Sequence, residues 1–374
     1  MGLELIKVET AAQKNAFLKL PWEIYRNEPR WIPPLLQERK RFLSPKINPF
    51  FKHAEVIHYL AIGENRKPAG RITFILDHAY SKFHSEKTGL FGLFESIDNQ
   101  QVADLLLDAV YQECAARGLS KIMGPMNLST NHECGLLVEG FEFPSMLGMP
   151  YNPQYYSNLL GKWGLVKAKD LLSFHIRNFK KIPEYLETTM VKIRKRNRFS
   201  VRCLKMKQFD KEMDLIWEVY NAAWIRNWGF VPMTVEEFMF AAHEFKPIVD
   251  PAFFLIAEVH GKPVGFSLAF PDINQALKHL NGRLLPFGWI KFLLAKKKIN
   301  SYRVLTLGVK KKFRRLGIDV HFYYETYKLF VEKKVNLSEM SWVLEDNQAM
   351  VTALHRMGAK LYRTHRIYER ACEN

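Results

Sequence analysis

The stretch VKKKFRRLGIDV, residues 309–320, combines residue types that bind phosphate groups. Five lysines and arginines precede a single glycine, and the residues after that glycine have the apolar spacing of a helix. The first N–H groups of a helix lack intrahelical partners, and the helix dipole favours an anion beside them. The stretch therefore predicts either a shaped cradle for one phosphorylated ligand or a basic surface that attracts any polyanion.

The neighbouring residues favour the cradle. RVLTLGV (303–309) is typical of a β-strand, and IDVHFYYETYKLFVEKK (318–334) is typical of an amphipathic helix. A strand, a basic loop that contains glycine and a helix start together form an anion site.

The net charge agrees with an anionic ligand for this half of the chain. The protein has 374 residues and a formal net charge of +17, and residues 177–374 hold 35 Lys and Arg against 20 Asp and Glu. A basic excess of this size favours a nucleic acid, a phosphorylated cofactor or an acidic membrane as partner, and charge alone does not choose among them.

Cysteine usage and hydropathy give further expectations. The four cysteines form no C-x-x-C pair, so we expect no structural zinc site and no disulfide framework, as is typical of the reducing cytoplasm. No run of about 18 uncharged apolar residues predicts a transmembrane helix, and no signal peptide is visible at the N-terminus.

The chain contains an internal duplication. LAIGENRKPAGRITFILD (60–77) and LIAEVHGKPVGFSLAFPD (255–272) share a Lys-Pro-x-Gly turn and a final Asp at one offset of 195 residues. A second pair, 151–176 and 345–369, repeats an Asn, a short helix, a glycine and a strand. Two matches in the same order predict two copies of one α/β fold: 1–177, a basic linker helix at 178–200, and 201–374.

The second copy resembles the GNAT superfamily of acyl-CoA N-acyltransferases. That family has an Arg/Gln-x-x-Gly-x-Gly/Ala loop after its fourth strand, matched here by RRLGID (314–319), and a later Asn–helix–Gly block, matched by NQAMVTALHRMG (347–358). The resemblance implies two tandem GNAT-like domains, each a mixed, mostly antiparallel twisted sheet flanked by helices. It also implies an acyl-CoA site formed by Leu307, Val309, Arg314, Arg315, Leu316, Gly317, Ile318 and Asn347.

Three departures from the family pattern bear on activity. Asp319 stands where the loop has a small residue, and a carboxylate there suits a helix cap better than a pyrophosphate neighbour. Leu354 occupies the position of the family's frequent tyrosine acid. The first copy continues from its fourth strand into Asn99-Gln100-Gln101, without Arg-x-x-Gly, so we expect it to be degenerate and to bind no CoA.

The sequence indicates the acceptor-binding residues and the general base less clearly. Trp224, Asn227 and Trp228 fall in the segment that borders the acceptor pocket in the family, and a packed helix corner is an equal interpretation. Glu345, or a water chain, is the candidate base that deprotonates an amine.

The resemblance implies an N-acyltransferase that uses acetyl-CoA or another acyl-CoA, without a metal, to acylate an amine that the sequence does not name. Acetyl is the favoured group. One alternative is an aminoacyl-tRNA-dependent transferase that resembles the Fem family. That activity would require a nucleic-acid partner, which is possible but not favoured. The other is a non-catalytic CoA-binding sensor, and the oligomeric state stays open.

One inserted segment belongs to neither repeat. NGRLLPFGWIKFLLAKKKIN (281–300) is apolar with a basic end. It predicts a lid or a dimer contact packed on the sheet, and a helix on a membrane surface is the alternative.

Overall fold

The structure is a computed structural model that describes residues 2–196 and 198–372. The predicted domain ends at 1 and 374, and position 197 of the predicted linker, lie outside the described residues. The described residues form two compact units, of which the first lies within 1–171, 277–292 and 363–374, and the second within 172–276 and 293–362. Each unit is therefore built from separate stretches of the chain rather than from one half of it.

The described residues form strands interspersed with helices. The strands are β1 (Glu4–Lys7), β2 (Ala54–Ile62), β3 (Pro68–Asp77), β4 (Thr88–Ser96), β5 (Lys121–Gly124), β6 (Leu136–Glu139), β7 (Val166–Arg177), β8 (Ser200–Cys203), β9 (Phe254–Val259), β10 (Lys262–Pro271), β11 (Ser301–Val309), β12 (Leu337–Leu344) and β13 (Lys360–Ala371). The helices are α1 (Ala11–Ile24), α2 (Leu36–Phe42), α3 (His78–His84), α4 (Gln100–Ala116), α5 (Tyr156–Lys162), α6 (Glu184–Arg196), α7 (Phe209–Trp224), α8 (Val235–Phe245), α9 (Asn274–Leu277), α10 (Gly288–Lys296), α11 (Ile318–Glu332) and α12 (Gln348–Arg356).

The sheet of the first unit runs β1-β2-β3-β4-β5 and continues into the end of β13. Its neighbours are antiparallel except for β4 and β5, which are parallel over Thr88–Leu90. Helix α4 packs its apolar face on this sheet, with Val102, Leu106 and Val110 fully buried at helical spacing.

The sheet of the second unit repeats this arrangement as β8-β9-β10-β11-β12. Again the neighbours are antiparallel, except for the parallel pair β11 and β12. Apolar side chains of α11 cover one face, where Phe322 and Phe330 are buried. The predicted fold class, a mixed and mostly antiparallel sheet with flanking helices in each copy, is confirmed.

The two hairpins of the first sequence repeat share their pairing in detail. In β2 and β3 the register shifts by one residue at Ala69, and in β9 and β10 it shifts at Val264, which is 195 positions later. A β-bulge inserts one extra residue into one strand of a pair and increases its twist. The same irregularity at equivalent positions supports duplication more strongly than the sequence match alone.

The second repeat ends each short helix with a glycine in the left-handed region. Gly164 after α5 has a φ of 98°, and Gly358 after α12 has a φ of 85°. A residue without Cβ adopts this conformation at little cost, which is why both copies keep glycine at the stop. The strands that follow, β7 and β13, each contain residues of both units.

The inserted segment 281–300 contains α10, but its side chains are not packed as predicted. Leu285, Phe287, Trp289 and Leu294 are exposed, with between 49% and 76% of each residue accessible. The interpretation as an element packed on the sheet therefore fails for these side chains. Within the described residues no helix is both long and apolar enough to cross a membrane.

Candidate functional site

A gap opens between β11 and β12 in the second unit. The two strands pair only from Ser301 with Leu337 to Val304 with Met340, and residues 305–309 of β11 continue without β12 beside them. At the same point Leu305 is skipped in the pairing of β11 with β10. The bulge turns the strand and begins the divergence.

Backbone N–H groups of β11 face this gap. The N–H of Lys310 donates to the carbonyl of Val264 on β10. Because successive residues of an antiparallel strand direct their N–H groups to opposite sides, those of Val309 and Leu307 point away from β10. Leu307 and Val309 stay predicted members of the acyl-CoA site, and the direction of their N–H groups would suit donors to a thioester carbonyl.

The basic loop leads from the gap into a helix start. Residues 311–316 form a turn of 3₁₀ helix, Gly317 has a φ of 83°, and α11 begins at Ile318. A Cβ on Gly317 would lie 2.8 Å from Cδ1 of Ile193 on α6. The backbone conformation thus favours glycine, and Ile193 of α6 packs closely against it, a reason that sequence did not supply.

The two arginines of the loop differ in their contacts. Nε of Arg314 donates to the carbonyl of Val309 at 3.1 Å, and its Nη2 donates to the carbonyl of Ala223 at 2.7 Å. Arg314 therefore closes the loop onto its own unit. Lys311, Lys312 and Arg315 are exposed, and within the described part of the chain they have no ion-pair partner, which leaves them available to an anion.

Asp319 lies in the first turn of α11. Burial raises the pKa of its carboxyl group, although the backbone N–H groups of Asp319 and Val320 act in the opposite direction. The carboxyl group thus lies near two of the N–H groups that an anion would approach. This agrees with its interpretation as a helix-start residue and places it at the edge of any pyrophosphate site.

The aromatic residues after α7 reach the same strand. The ring of Trp224 covers Gly308, where a Cβ would lie 2.1 Å from the indole. Trp224 also packs against Phe266, with 5.7 Å between ring centroids. Asn227 follows in a turn, where its N–H donates to the carbonyl of Trp224 at 2.8 Å, and Trp228 is half-buried beside it.

The remaining predicted residues follow β12. Glu345 is half-buried in the turn after this strand. The Asn347 side chain accepts from the N–H of Met350 and so caps α12. Leu354, which replaces the family's tyrosine, is buried in the apolar core, and His355 lies edge-on to Phe174.

A buried polar cluster lies where β11 and β12 begin to diverge, and sequence reasoning missed it. Arg303 and Glu339 are paired in register and are 3% and 0% exposed. Nε of Arg303 donates to Oγ of Ser341 at 2.8 Å, and the hydroxyl groups of Ser341 and Tyr362 both bond the Glu339 carboxylate. The ring of Tyr362 stacks on His175 at 4.5 Å. The sequence signal that could have revealed this cluster is the pair of opposite charges within two otherwise apolar strands, because charged residues are rarely fully buried without a partner.

The equivalent gap of the first unit is filled by its own chain. β4 and β5 separate after Leu90, but the N–H of Met126 donates to the carbonyl of Phe91, and Oδ1 of Asn127 accepts from the N–H of Leu93. At the start of α4 the Asn99 side chain accepts from the first-turn N–H groups. These contacts occupy the groups that would hold a ligand, in agreement with the expectation of a degenerate copy.

Glu95 of the first unit is buried among hydrogen-bond donors. The hydroxyl groups of Tyr25 and Tyr156 each donate to it at 2.8 Å, and Arg71 lies 3.4 Å away. Burial raises the pKa of this carboxyl group, and the charge of Arg71 and the hydrogen bonds from its donors partly offset that increase. Within the described residues no group of His, Cys, Asp and Glu has the arrangement of a metal site.

Comparison with known proteins identifies relatives of the chain and solved structures of similar fold. No family model matches the sequence. The chain is 36% identical to "Bacterial ceramide synthase" of Caulobacter vibrioides over 99% of this chain and 97% of that protein, and 35% identical to "Protein YghO" of Escherichia coli over 97% and 95%. Solved structures similar in fold include a tandem GNAT protein from the clavulanic acid biosynthesis pathway (TM-score 0.56, 10% identity, 100% of this chain and 99% of that one). Another is a GCN5-related N-acetyltransferase from Sphaerobacter thermophilus (TM-score 0.53, 12% identity, 100% and 96%).

The chain belongs to the family of these two bacterial proteins, and its fold is that of tandem GNAT proteins. The resemblance inferred from the Arg-x-x-Gly loop and the later Asn–helix–Gly block is confirmed. In the second copy the parallel strands β11 and β12 diverge beside the start of α11. The fold is that of acyltransferases.

Proposed function

We propose that this protein transfers an acyl group from acyl-CoA to an amine at the gap between β11 and β12. The observation that carries the proposal is the divergence of these strands after Val304 and Met340, next to a basic loop and the start of α11. The pyrophosphate would lie against Arg315, Leu316, Gly317 and Ile318, where exposed cations and a helix dipole favour it. From there the gap would accept the thioester.

The chemistry requires a polarised carbonyl and a neutral amine. The N–H groups of Leu307 and Val309 would donate to the carbonyl oxygen as negative charge develops on it. The amine nitrogen then forms a bond to the carbonyl carbon, and the carbon–sulfur bond breaks. The amine releases one proton to a base, and the CoA thiolate takes one up.

Glu339 is the base that we favour, and Tyr362 is its partner. The carboxylate lies at the start of the gap, and the Tyr362 hydroxyl group that bonds it can pass a proton between substrate and carboxylate. Arg303 lies beside the carboxylate, with 3.7 Å between its Nε and Oε1 of Glu339, and holds it in place. Glu345 remains the alternative base, since it is half-buried in the turn that follows the same strand.

The name of the Caulobacter relative favours a lipid product over an acetylated one. A ceramide is the amide of a fatty acid with a long-chain amino alcohol, so the analogous reaction here would join a fatty acyl group to such an amine. This departs from the acetyl group that the sequence favoured. Trp224, Asn227 and Trp228, on the α7 side of β11, would offer the apolar surface and the amide that such an acceptor requires.

The test uses the purified full-length chain. Acetyl-CoA, palmitoyl-CoA and an aminoacyl-tRNA are each combined with sphinganine, 3-ketosphinganine or a short amine, and both release of the donor's leaving group and the amide product are measured. We expect amide formation with the long acyl group and a long-chain amine. Turnover with acetyl-CoA alone would refute the lipid assignment, and turnover only with aminoacyl-tRNA would transfer the protein to the Fem-like class. Binding of acyl-CoA by titration calorimetry without product from any acceptor would identify a sensor.

A matched pair of variants tests the base. Glu339→Gln and Glu345→Gln each remove one carboxylate charge at opposite ends of the gap. If Glu339 is the base, Glu339→Gln lowers kcat by about 10²–10⁴-fold, while Glu345→Gln changes it little. The opposite ranking assigns the role to Glu345. Circular dichroism of both variants separates lost chemistry from lost folding.

A further inference from the structure

The segment from Leu284 to Lys298 presents an apolar surface to solvent. Of fifteen large hydrophobic side chains exposed in the described part of the chain, six lie within ten consecutive positions: Leu285, Phe287, Trp289, Ile290, Leu293 and Leu294. Scattered exposed apolar residues are ordinary, but a contiguous patch marks a surface that another body covers.

The outward face of α10 is the apolar one. At 100° per residue, Trp289, Ile290, Leu293 and Leu294 fall within an arc of about 140°. Phe292, which lies outside that arc, is half-buried instead. A helix at the surface of a water-soluble domain normally has the reverse order, with polar residues outward.

The segment is held at its base by specific contacts. Nε1 of Trp22 donates to Oδ1 of Asn281 at 2.9 Å, and the N–H of Leu36 donates to the carbonyl of Gly282 at 3.0 Å. A Cβ on Gly288 would lie 2.3 Å from the carbonyl oxygen of Arg283, so the turn that starts α10 is tight. The apolar side chains are thus displayed on an anchored element.

The segment and the residues that flank it in sequence carry charge of one sign. From Ile273 to Ile318 the sequence contains no Asp or Glu. Lys291, Lys297 and Lys298 are exposed beside the apolar face. An occupant that complements both features is apolar at its centre and anionic at its edge.

We propose that residues 284–298 bind the surface of an anionic lipid bilayer, with α10 lying in the interface. The apolar face would enter the boundary between headgroups and acyl chains, and the lysines would contact anionic headgroups, as in other interfacial helices. The segment does not span the bilayer, since α10 has only nine residues. This inference goes beyond the proposed acyl transfer and does not depend on it.

A second copy of the chain fits the surface less well. A two-fold contact places the same patch against itself, so lysines would face lysines with no acidic residue between Ile273 and Ile318 to pair with them. An anionic bilayer supplies the missing charge. Dimerisation through this face therefore becomes an outcome of the test.

The experiment is flotation of the purified full-length protein with vesicles of phosphatidylglycerol or of phosphatidylcholine, without substrate. We expect flotation with phosphatidylglycerol, and weaker flotation with phosphatidylcholine or in high salt. The variant with Leu293→Asp and Leu294→Asp should stay unbound. A control with Val166→Asp and Leu215→Asp adds the same two charges at exposed apolar positions elsewhere and should float like the parent protein.

The lysines are tested separately. Lys297→Gln with Lys298→Gln should lower partitioning to phosphatidylglycerol vesicles by about 30-fold, at the usual contribution of a basic residue near an anionic surface. Lys205→Gln with Lys207→Gln, which are exposed outside the segment, should lower it much less.

Three results would overturn the proposal. The first is that the parent protein does not float with phosphatidylglycerol at low salt. The second is that the Leu293→Asp, Leu294→Asp variant floats as well as the parent. The third is that light scattering shows a dimer for the parent protein and a monomer for this variant. The last result assigns the surface to a second copy. Because no readout involves turnover, failure here is distinct from failure of the proposed acyl transfer.

Discussion

Replacement of Gly317 by alanine tests the loop before α11. Its φ of 83° lies in the left-handed region, where a residue with Cβ costs about 1–2 kcal/mol. The new Cβ would also meet Cδ1 of Ile193 at 2.8 Å, but this atom ends a flexible side chain and can move. We therefore expect Gly317→Ala to lose about 1–2 kcal/mol of stability, to remain folded, and to lose at least about tenfold in CoA affinity.

Gly358 provides a matched control. Its φ is 85°, and a Cβ there would meet no atom within 4 Å, so Gly358→Ala has the same backbone cost without touching the loop. Thermal unfolding should show a loss of about 2–8 °C for both variants, at about 2–4 °C per kcal/mol for domains of this size. Titration calorimetry with CoA should show a loss only for Gly317→Ala.

Comparing Gly317→Ala with Gly358→Ala separates a specific loss of CoA binding from a general loss of stability. If both variants bind CoA like the parent protein, the loop is not a shaped cradle, and the basic stretch acts only through its charge. If both lose affinity equally, the loss follows from stability alone. Only a loss confined to Gly317→Ala supports the proposed pyrophosphate site.

Three further outcomes follow from individual contacts. Tyr362→Phe should lower kcat by about 10²-fold or more with little change in KM, because it removes the hydroxyl group that bonds Glu339. Arg314→Ala should lower both the melting temperature and CoA affinity, whereas Arg315→Ala should lower affinity alone, since only Arg314 bonds backbone carbonyl groups. Asp170→Asn should lower stability at neutral pH by about 1–2 kcal/mol, because a bidentate arginine contact is lost.

The pH dependence of the last variant has a definite sign. Burial by itself raises the pKa of Asp170, but hydrogen bonds from Arg366 and Lys167 outweigh it, so the pKa is lowered in the folded protein. The stabilisation is therefore complete above the unfolded value of about 3.9 and is lost as pH falls through the folded value. Urea unfolding at several pH values should show the difference between parent and Asp170→Asn shrinking in acid.

Controls complete these tests. Tyr59→Phe removes a tyrosine–glutamate hydrogen bond of the same kind, to Glu113 in the first unit, and should leave kcat unchanged. Equal effects of Tyr362→Phe and Tyr59→Phe on kcat would contradict a role in proton transfer. Equal melting temperatures for Arg314→Ala and Arg315→Ala would contradict a structural role for Arg314.

Much of the fold could be predicted from the local spacing of apolar residues along the sequence. The strand pattern of residues 303–309, the glycine at Gly317 and the helical spacing after it predicted β11, the loop and α11, because backbone preference and one buried face act over neighbouring residues. The repeat at an offset of 195 predicted two similar hairpins for the same reason. These features need no knowledge of distant contacts.

The polar cluster depended on tertiary structure. Arg303, Glu339 and Tyr362 are separated by 36 and 23 positions, and only the pairing of β11 with β12 makes the first two neighbours. Sequence reasoning instead favoured Glu345, which lies after the strand. Strand register sets which charges share a face, and a shift of one residue would place Glu339 on the opposite side.

The sequence by itself determined the loop chemistry, the duplication and the basic second half. Tertiary structure decided that Arg314 closes the loop while Arg315 stays available, that the first gap is filled by Met126 and Asn127, and that the side chains around α10 face solvent. Composition records how apolar a segment is but not what covers it, because burial depends on residues brought close by the fold. In this protein, such distant contacts fill the gap between β4 and β5 and leave the gap between β11 and β12 open.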